Sequence, residues 1–312
     1  MKNKLHSVVV PVYRSRDSLV KLVERVFSVL QNEKIKFELI LVDDGSPDGS
    51  FEEIKRLAKL HHEIRGYQLS RNYGQQVALS IGLQRASGDY IAIIDDDLQD
   101  PPELLPEFFK ALYEGADVAY GIRTNRKEGL IKRFLYSAFY RLLSTLSHIS
   151  IPRDAGDFCA MKRRAVNAML ELKSARPFLR GNRSWIGFRQ IGIPYERSAR
   201  YEGQPGYTLL KYLQFAISGI LSFSYIPLRA ITYFGFLVAL FSSLFALCNI
   251  IGRLLNWFDV PGYTSLITFL VFFGSIQLIS LGIVGEYVAR LLDEAKGWPV
   301  AFVSAATTDE DL

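Results

Sequence analysis

The stretch that decides the fold is IAIIDDDLQDPP, residues 91–102. An apolar run of the kind that forms a buried strand ends in three adjacent carboxylates, Asp95, Asp96 and Asp97. These repel one another unless a positive charge sits among them. Toward the N-terminus, short apolar runs alternate with helical patterns. Ser7–Val12, Glu38–Val42, Gly66–Ser70 and Tyr90–Ile94 read as strands, and Ser18–Leu30, Phe51–His61, Gly74–Ala86 and Glu103–Glu114 as helices. The alternation predicts an α/β domain with a parallel sheet and helices on both faces. Ligands of such sheets bind beyond the carboxyl ends of the strands. A second carboxylate pair, Asp43 and Asp44, follows ELILV at another such end.

The usual phosphate-binding loops are missing. Neither G-x-G-x-x-G nor G-x-x-x-x-G-K-[ST] follows the first strand, which runs into PVYRSRDSL with no Gly at all. Bound phosphates would therefore have to be held by a metal or by Arg and Lys. Oxygen ligands at alternating positions, Asp95, Asp97 and the amide oxygen of Gln99, suit a hard cation such as Mg²⁺ or Mn²⁺ that keeps water and bridges to a diphosphate. The plainer reading is a solvated turn before a helix. Asp100, followed by Pro101, Pro102 and Glu103, is expected to cap that helix. Asp44 is placed to accept a hydrogen bond from a base or ribose, although VDDGSPDGS also reads as a turn with Asp48 capping the next helix.

The 312 residues, 49% of them hydrophobic, suffice for a large core. Two uncharged runs, Ala230–Gly252 and Val260–Gly285, are each long enough as helices to cross a hydrocarbon core of about 30 Å. Buried core helices are the alternative, but they seldom run so far without a charge. From Gly121 to Phe215 there are 18 Lys and Arg against 6 Asp and Glu, in a chain whose net charge is +5. Such a block beside a span tends to stay cytoplasmic, which puts both ends inside. The start, MKNKLHSVVVPVYRS, reads as a first strand rather than a signal peptide. Cys159 and Cys248 have no metal or redox spacing, and the four His form no cluster.

VVVPVYRSRDSL, LVDDGSPDGS, LSRNYGQQVALSIGL, GDYIAIIDDDLQDPPE, GIRTNR, GDFCAMKRRAV and LISLGIVGEYVARL together resemble, in order, the motifs of the family 2 glycosyltransferases that load sugars onto polyisoprenyl phosphates. The resemblance runs from about Ser7 to about Leu291. It implies a GT-A, Rossmann-like nucleotide-sugar domain over residues 1–207, with an acceptor and interfacial region over 121–207. A juxtamembrane helix (208–228), two transmembrane helices (229–252 and 263–289) around an external loop (253–262), and a cytoplasmic tail (290–312) would follow. The implied reaction is inverting transfer of one sugar from a nucleotide-diphosphate sugar, UDP-glucose or a related UDP-hexose, to undecaprenyl phosphate at the inner membrane. No nucleic-acid partner is implied.

Carried over position by position, the resemblance puts the Mg²⁺ or Mn²⁺ on Asp95, Asp97 and Gln99. Nucleotide contacts fall on Pro11, Tyr13, Asp44, Arg71 and Asp96, and the catalytic carboxylate on Asp157. The acceptor phosphate falls to Arg123, Arg133, Ser137 and Arg200. A lipid monophosphate is largely a dianion at pH 7, so Asp157 either takes a residual proton or orients the acceptor. Helix 134–149, apolar and aromatic on one side, is a core helix or one that settles the site on the bilayer. Two departures stand out: Arg14-Ser15 replaces the family's Asn-Glu, and Pro205-Gly206-Tyr207 replaces a Ser/Thr-Lys-aromatic, leaving Lys211 as a substitute cation. Gly274, Ser275, Gly282 and Gly285 would permit close helix packing in a homo-oligomer. A processive synthase is one alternative, but it needs Q-x-x-R-W, and NRSW at 182–185 lacks the pattern. A dead membrane scaffold is another, which the intact Asp95, Asp97, Gln99 and Asp157 oppose.

Overall fold

The computed structural model describes residues 4–124, 155–172, 174, 177–196, 226–255 and 262–308. Its first half alternates β1 (His6–Val12), α1 (Arg16–Asn32), β2 (Phe37–Asp43), α2 (Ser50–Leu60), β3 (Ile64–Leu69), α3 (Gln75–Arg85) and β4 (Tyr90–Ile93). A short 3₁₀ turn, Pro102–Leu104, runs into α4 (Leu105–Tyr113). Then come β5 (Val118–Thr124), β6 (Ala155–Lys162), α5 (Arg163–Glu171), α6 (Leu179–Trp185) and β7 (Gln190–Glu196). The C-terminal part holds α7 (Ile226–Leu254), α8 (Tyr263–Ala295) and β8 (Val303–Ala306).

The strands form one sheet in the order β7-β5-β6-β4-β1-β2-β3-β8. The four strands anticipated from the alternation are parallel to one another, β1 lying between β2 and β4. Beyond them the sheet is mixed. β6 inserts between β4 and β5, antiparallel to both, and β8 adds antiparallel to the outer edge of β3. Every residue of β1 and β2 is buried, as befits central strands covered on two sides.

The period of two along these strands divides the interior into two cores. Val8, Val10, Leu39 and Leu41 pack with α1, α2 and α4 through residues such as Leu22, Ile54 and Phe108. Val9, Ile40 and Val42 face the other way, with Leu79 of α3, Val166 of α5 and Leu179 of α6. On this second face α3 comes so close that a Cβ on Gly82 would lie 2.3 Å from Val9 Cγ1. That close approach sets the start of α3 against the carboxyl edge of the sheet, where the charged residues gather.

Helix α4 begins differently from expectation. Asp100 does not cap it: the cap position of the 3₁₀ turn is Pro101 and that of α4 is Leu104, and neither has a side-chain cap bond. Pro101 and Pro102 have no N–H to offer, and the fully buried Asp100 takes the hydroxyl of Tyr195 instead. Asp48 is not the cap of α2 either: Gly49 holds that position, and the Asp48 carboxylate, one residue before it, accepts the N–H and hydroxyl of Ser50.

Helices α7 and α8 are long and apolar enough to cross a membrane, with windows at Leu228–Phe245 and Phe272–Ala295 that are unburied within the protein. Beyond α8 the chain returns to the sheet. Ser70 N–H donates to Phe302 O at 2.9 Å, and Thr307 N–H to Gly66 O at 3.0 Å, so the tail closes the edge of β3.

Candidate active site

The carboxylates that end β2 and β4 meet loops from three other parts of the chain. After β4, Asp97 accepts the backbone N–H of Gln99 at 3.1 Å, a tight turn over Leu98 that requires a left-handed backbone at φ +57. Arg14, just after β1, adopts φ +56. A branched or long side chain rarely sits there unless its surroundings demand it, and such strain gathers at functional loops. Asp96 joins the two loops, accepting from Tyr13 N–H at 3.1 Å and from the Ser15 hydroxyl. It ties the β1 loop to the β4 loop.

Asp95 accepts from Gln75 Nε2 at 2.7 Å. Burial, and then the charges of Asp100, Asp157, Asp97 and Asp96, push its carboxyl up to about 8. Burial likewise pushes Asp96 up to about 6, against the hydrogen bonds from Ser15 and Tyr13. This crowding of negative charge is what a bound dication would relieve. The donors are hard oxygens, and among the described residues no three His, Cys, Asp or Glu side chains close around one point. An open set of one or two carboxylates fits Mg²⁺ or Mn²⁺, which complete their shells with water and phosphate oxygens.

On the neighbouring strand, Asp44 is 2% exposed and accepts from Tyr73 N–H at 2.7 Å and Gly74 N–H at 2.8 Å. Burial raises its carboxyl above the usual range while those two bonds oppose the rise. Its visible work is to fold the loop 70–74 over the end of β2. The turn on the other side presses on the same loop, for a Cβ on Gly45, at φ +67, would lie 2.7 Å from the carbonyl carbon of Arg71. Arg71 itself stacks on Tyr73, 4.0 Å from the ring centroid, and Tyr13 remains exposed near Arg14. Pro11 is buried within β1 beneath this loop cluster.

Opposite the aspartates stand arginines. Asp157 on β6 is 4% exposed and is gripped by Arg180 of α6, whose Nε donates to Oδ1 at 2.8 Å and Nη2 to Oδ2 at 2.9 Å. Gln76 Nε2 adds a third bond at 3.1 Å, while its own Oε1 accepts Leu179 N–H and so fixes the start of α6. Burial alone would raise the Asp157 carboxyl, but Arg180, Arg183 and Gln76 together hold it below the usual carboxylate range. Arg123 donates to the Tyr195 hydroxyl at 3.2 Å and lies 3.9 Å from Asp100.

Residues 7–170 match the family described as Glycosyl transferase family 2. The chain belongs to that family. This glycosyltransferase is 39% identical to an uncharacterized glycosyltransferase of Synechocystis sp., over 96% of this chain and 94% of that protein. It is 34% identical to the prophage-derived bactoprenol glucosyl transferase of Shigella flexneri, over 94% of this chain and 95% of that one. Among solved structures it is similar to the mannosyltransferase PcManGT of Pyrobaculum calidifontis, at 17% identity and a TM-score of 0.48, over 91% of this chain and 86% of that one. The mixed Rossmann-like sheet is the GT-A fold expected from the family's motifs.

Within the glycosyltransferase domain the expected residues Pro11, Tyr13, Asp44, Arg71, Asp95, Asp96, Asp97, Gln99, Arg123 and Asp157 gather at one edge of the sheet and its loops. Arg133, Ser137 and Arg200 lie outside the described residues, as do helix 134–149, Pro205–Tyr207 and Lys211. Gln75, Gln76, Arg180, Arg183 and Tyr195 escaped the sequence reading. The two glutamines sit inside the quoted NYGQQ, and Arg180 and Arg183 share one side of a helix by their spacing of three. What the sequence could not show was that α6 folds back onto β6.

Proposed function

We propose that this glycosyltransferase moves a single hexose, with inversion, from a UDP-sugar to a polyprenyl phosphate such as undecaprenyl phosphate at the cytoplasmic face of the inner membrane. The observation that carries the reading is the meeting, at the carboxyl edge of the sheet, of a crowded aspartate group with Arg123 and Arg180. A phosphate dianion attacking a diphosphate sugar needs positive charge on both sides of the reacting carbon. The relatives named bactoprenol glucosyl transferase, aligned over nearly the whole chain, support a lipid acceptor. So do α7 and α8, whose apolar surfaces are not buried within the protein.

In this reading Asp95, Asp97 and Gln99 would hold Mg²⁺ or Mn²⁺, which would supply positive charge toward the diphosphate. The loops after β1 and β3 take the nucleoside through Tyr13, Arg71 and the backbone ordered by Asp44 and Asp96. Arg123, with Arg133, Ser137 and Arg200, grips the acceptor phosphate. The C1–O bond to UDP breaks as the acceptor phosphate oxygen bonds C1, and UDP leaves with the electron pair. Purified full-length protein, given Mg²⁺ or Mn²⁺, a panel of UDP- and GDP-sugars and undecaprenyl phosphate, should yield one lipid product, extractable into organic solvent and labile to mild acid. A water-soluble polymer, or sugar release with no lipid product from any donor, overturns the reading.

A further inference from the structure

We propose that Asp157 is a positioning residue rather than the proton acceptor of the reaction, and that the group it positions, Arg180, is a phosphate-binding cation of the site. The inference rests on the glycosyl transfer proposed above. A general base needs a lone pair turned toward the proton it takes. Asp157 offers little room for one: Arg180 engages both carboxylate oxygens in a fork, Gln76 adds a bond to Oδ2, and the residue is nearly inaccessible. Among the described residues, the cavity that Asp157 lines together with Arg180, Arg183, Ile93 and Cys159 measures about 10 Å³. Such a space holds roughly one water and no substrate.

The fork is costly unless it serves something. A guanidinium bound through Nε and Nη2 has its plane fixed, which suits it to present a further edge to a phosphate. Arg180 keeps 26% of its side chain accessible, whereas Arg183, one turn on, is sealed at 2% and donates to Gly156 O. The charges of Arg180 and Arg123 oppose each other, and the site thus brings together three guanidiniums, Arg123, Arg180 and Arg183, around two buried carboxylates, Asp100 and Asp157. A guanidinium held in a fixed plane beside the crowded aspartates, and still partly open to solvent, is placed to meet a phosphate brought to the same edge of the sheet. The transfer itself requires no proton movement when the acceptor arrives as a dianion, so a carboxylate spent on orienting Arg180 leaves no step unserved.

The phosphate belongs either to the UDP moiety or to the lipid, and binding separates the two. Full-length wild type, Asp157→Asn, Arg180→Gln, Arg180→Lys and the double variant Asp157→Asn/Arg180→Gln would be titrated with UDP plus Mn²⁺ and, separately, with undecaprenyl phosphate. Both Asp157→Asn and Arg180→Gln should weaken one of these ligands by about tenfold or more and by similar factors, the double variant no further, with Arg180→Lys between. The ligand left unchanged shows that each variant is folded, and the one weakened names the source. Transfer kinetics add a second reading: the pH dependence of kcat/KM should keep its shape in Asp157→Asn. Two results overturn the proposal: unchanged binding of both ligands in Arg180→Gln, or a loss in Asp157→Asn that far exceeds that of Arg180→Gln and removes the acid limb of the pH profile. If the wild type transfers no sugar to lipid, the reading of its function fails, while the two binding titrations still decide the role of Arg180.

Discussion

Titrating Mn²⁺ into the full-length, nucleotide-free protein at several pH values reads the charge on Asp95. Burial and four neighbouring carboxylates push that group up to about 8. A proton and the metal then compete for the same oxygens. Near pH 7 the carboxyl is about nine-tenths protonated, so each metal bound should release close to one proton, and each further unit of acidity should cost about tenfold in apparent affinity, about 1.4 kcal/mol. From about pH 9 to about pH 6 the apparent affinity should fall roughly a hundredfold. The free-Mn²⁺ resonance signal gives the affinity, and calorimetry in two buffers of different ionisation heat counts the proton. The same shift makes its own contribution to the pH dependence of stability. A folded value raised above 3.8 means that the folded state keeps a proton the unfolded chain surrenders, so the contribution of Asp95 to stability is full below about 3.8 and is lost as pH rises through about 8. Metal-free protein should melt lower at alkaline than at mildly acid pH, Mn²⁺ should close the gap, and Asp95→Asn should remove it. Affinity for Mn²⁺ that is flat with pH, with no proton released, would refute the assignment of Asp95 as a ligand.

Three further outcomes follow from the same geometry. Asp97→Asn should abolish turnover at every Mg²⁺ concentration, measured as labelled lipid product; recovery at high Mg²⁺ would show that Asp97 serves only its turn with Gln99. Gly45→Ala forces a side chain into a left-handed backbone and against the Arg71 backbone, which should cost at least about 1 kcal/mol and raise KM for the UDP-sugar more than it lowers kcat. Removal of residues beyond Gly297 deletes β8 and its bonds to Ser70 and Gly66. At about 1 kcal/mol for each bond lost, the melting temperature should drop and UDP binding weaken, because the loop with Arg71 starts where β8 ends its pairing.

The half of the fold built from local signals was legible in the chain, and the half built from distant pairing was not. β1 to β4 announce themselves as apolar runs closed by carboxylates or turns, and the helices between them carry the complementary period. β6 gives no such signal: nothing in AGDFCAMK shows that it must slide between β4 and β5 antiparallel to both. β8 is four residues whose partner is an edge more than 230 residues away. The site divides in the same way. The aspartates at strand ends were visible because strand ends are where ligands bind, and the family motifs named them. The role of Asp100 was misjudged because its partner, Tyr195, lies 95 residues on. Arg180 was missed because its importance comes from the carboxylate it meets rather than from its own sequence neighbours.

The central claim is that this chain joins one hexose to a polyprenyl phosphate using a dication held by Asp95 and Asp97. The mass of the lipid recovered from full-length protein in lipid discs, incubated with UDP-glucose, undecaprenyl phosphate and Mn²⁺, tests it most directly. The account predicts a gain of one hexose that disappears when a chelator is added and returns with fresh Mn²⁺. An unmodified lipid beside active sugar transfer elsewhere, or an undiminished product under the chelator, would contradict it.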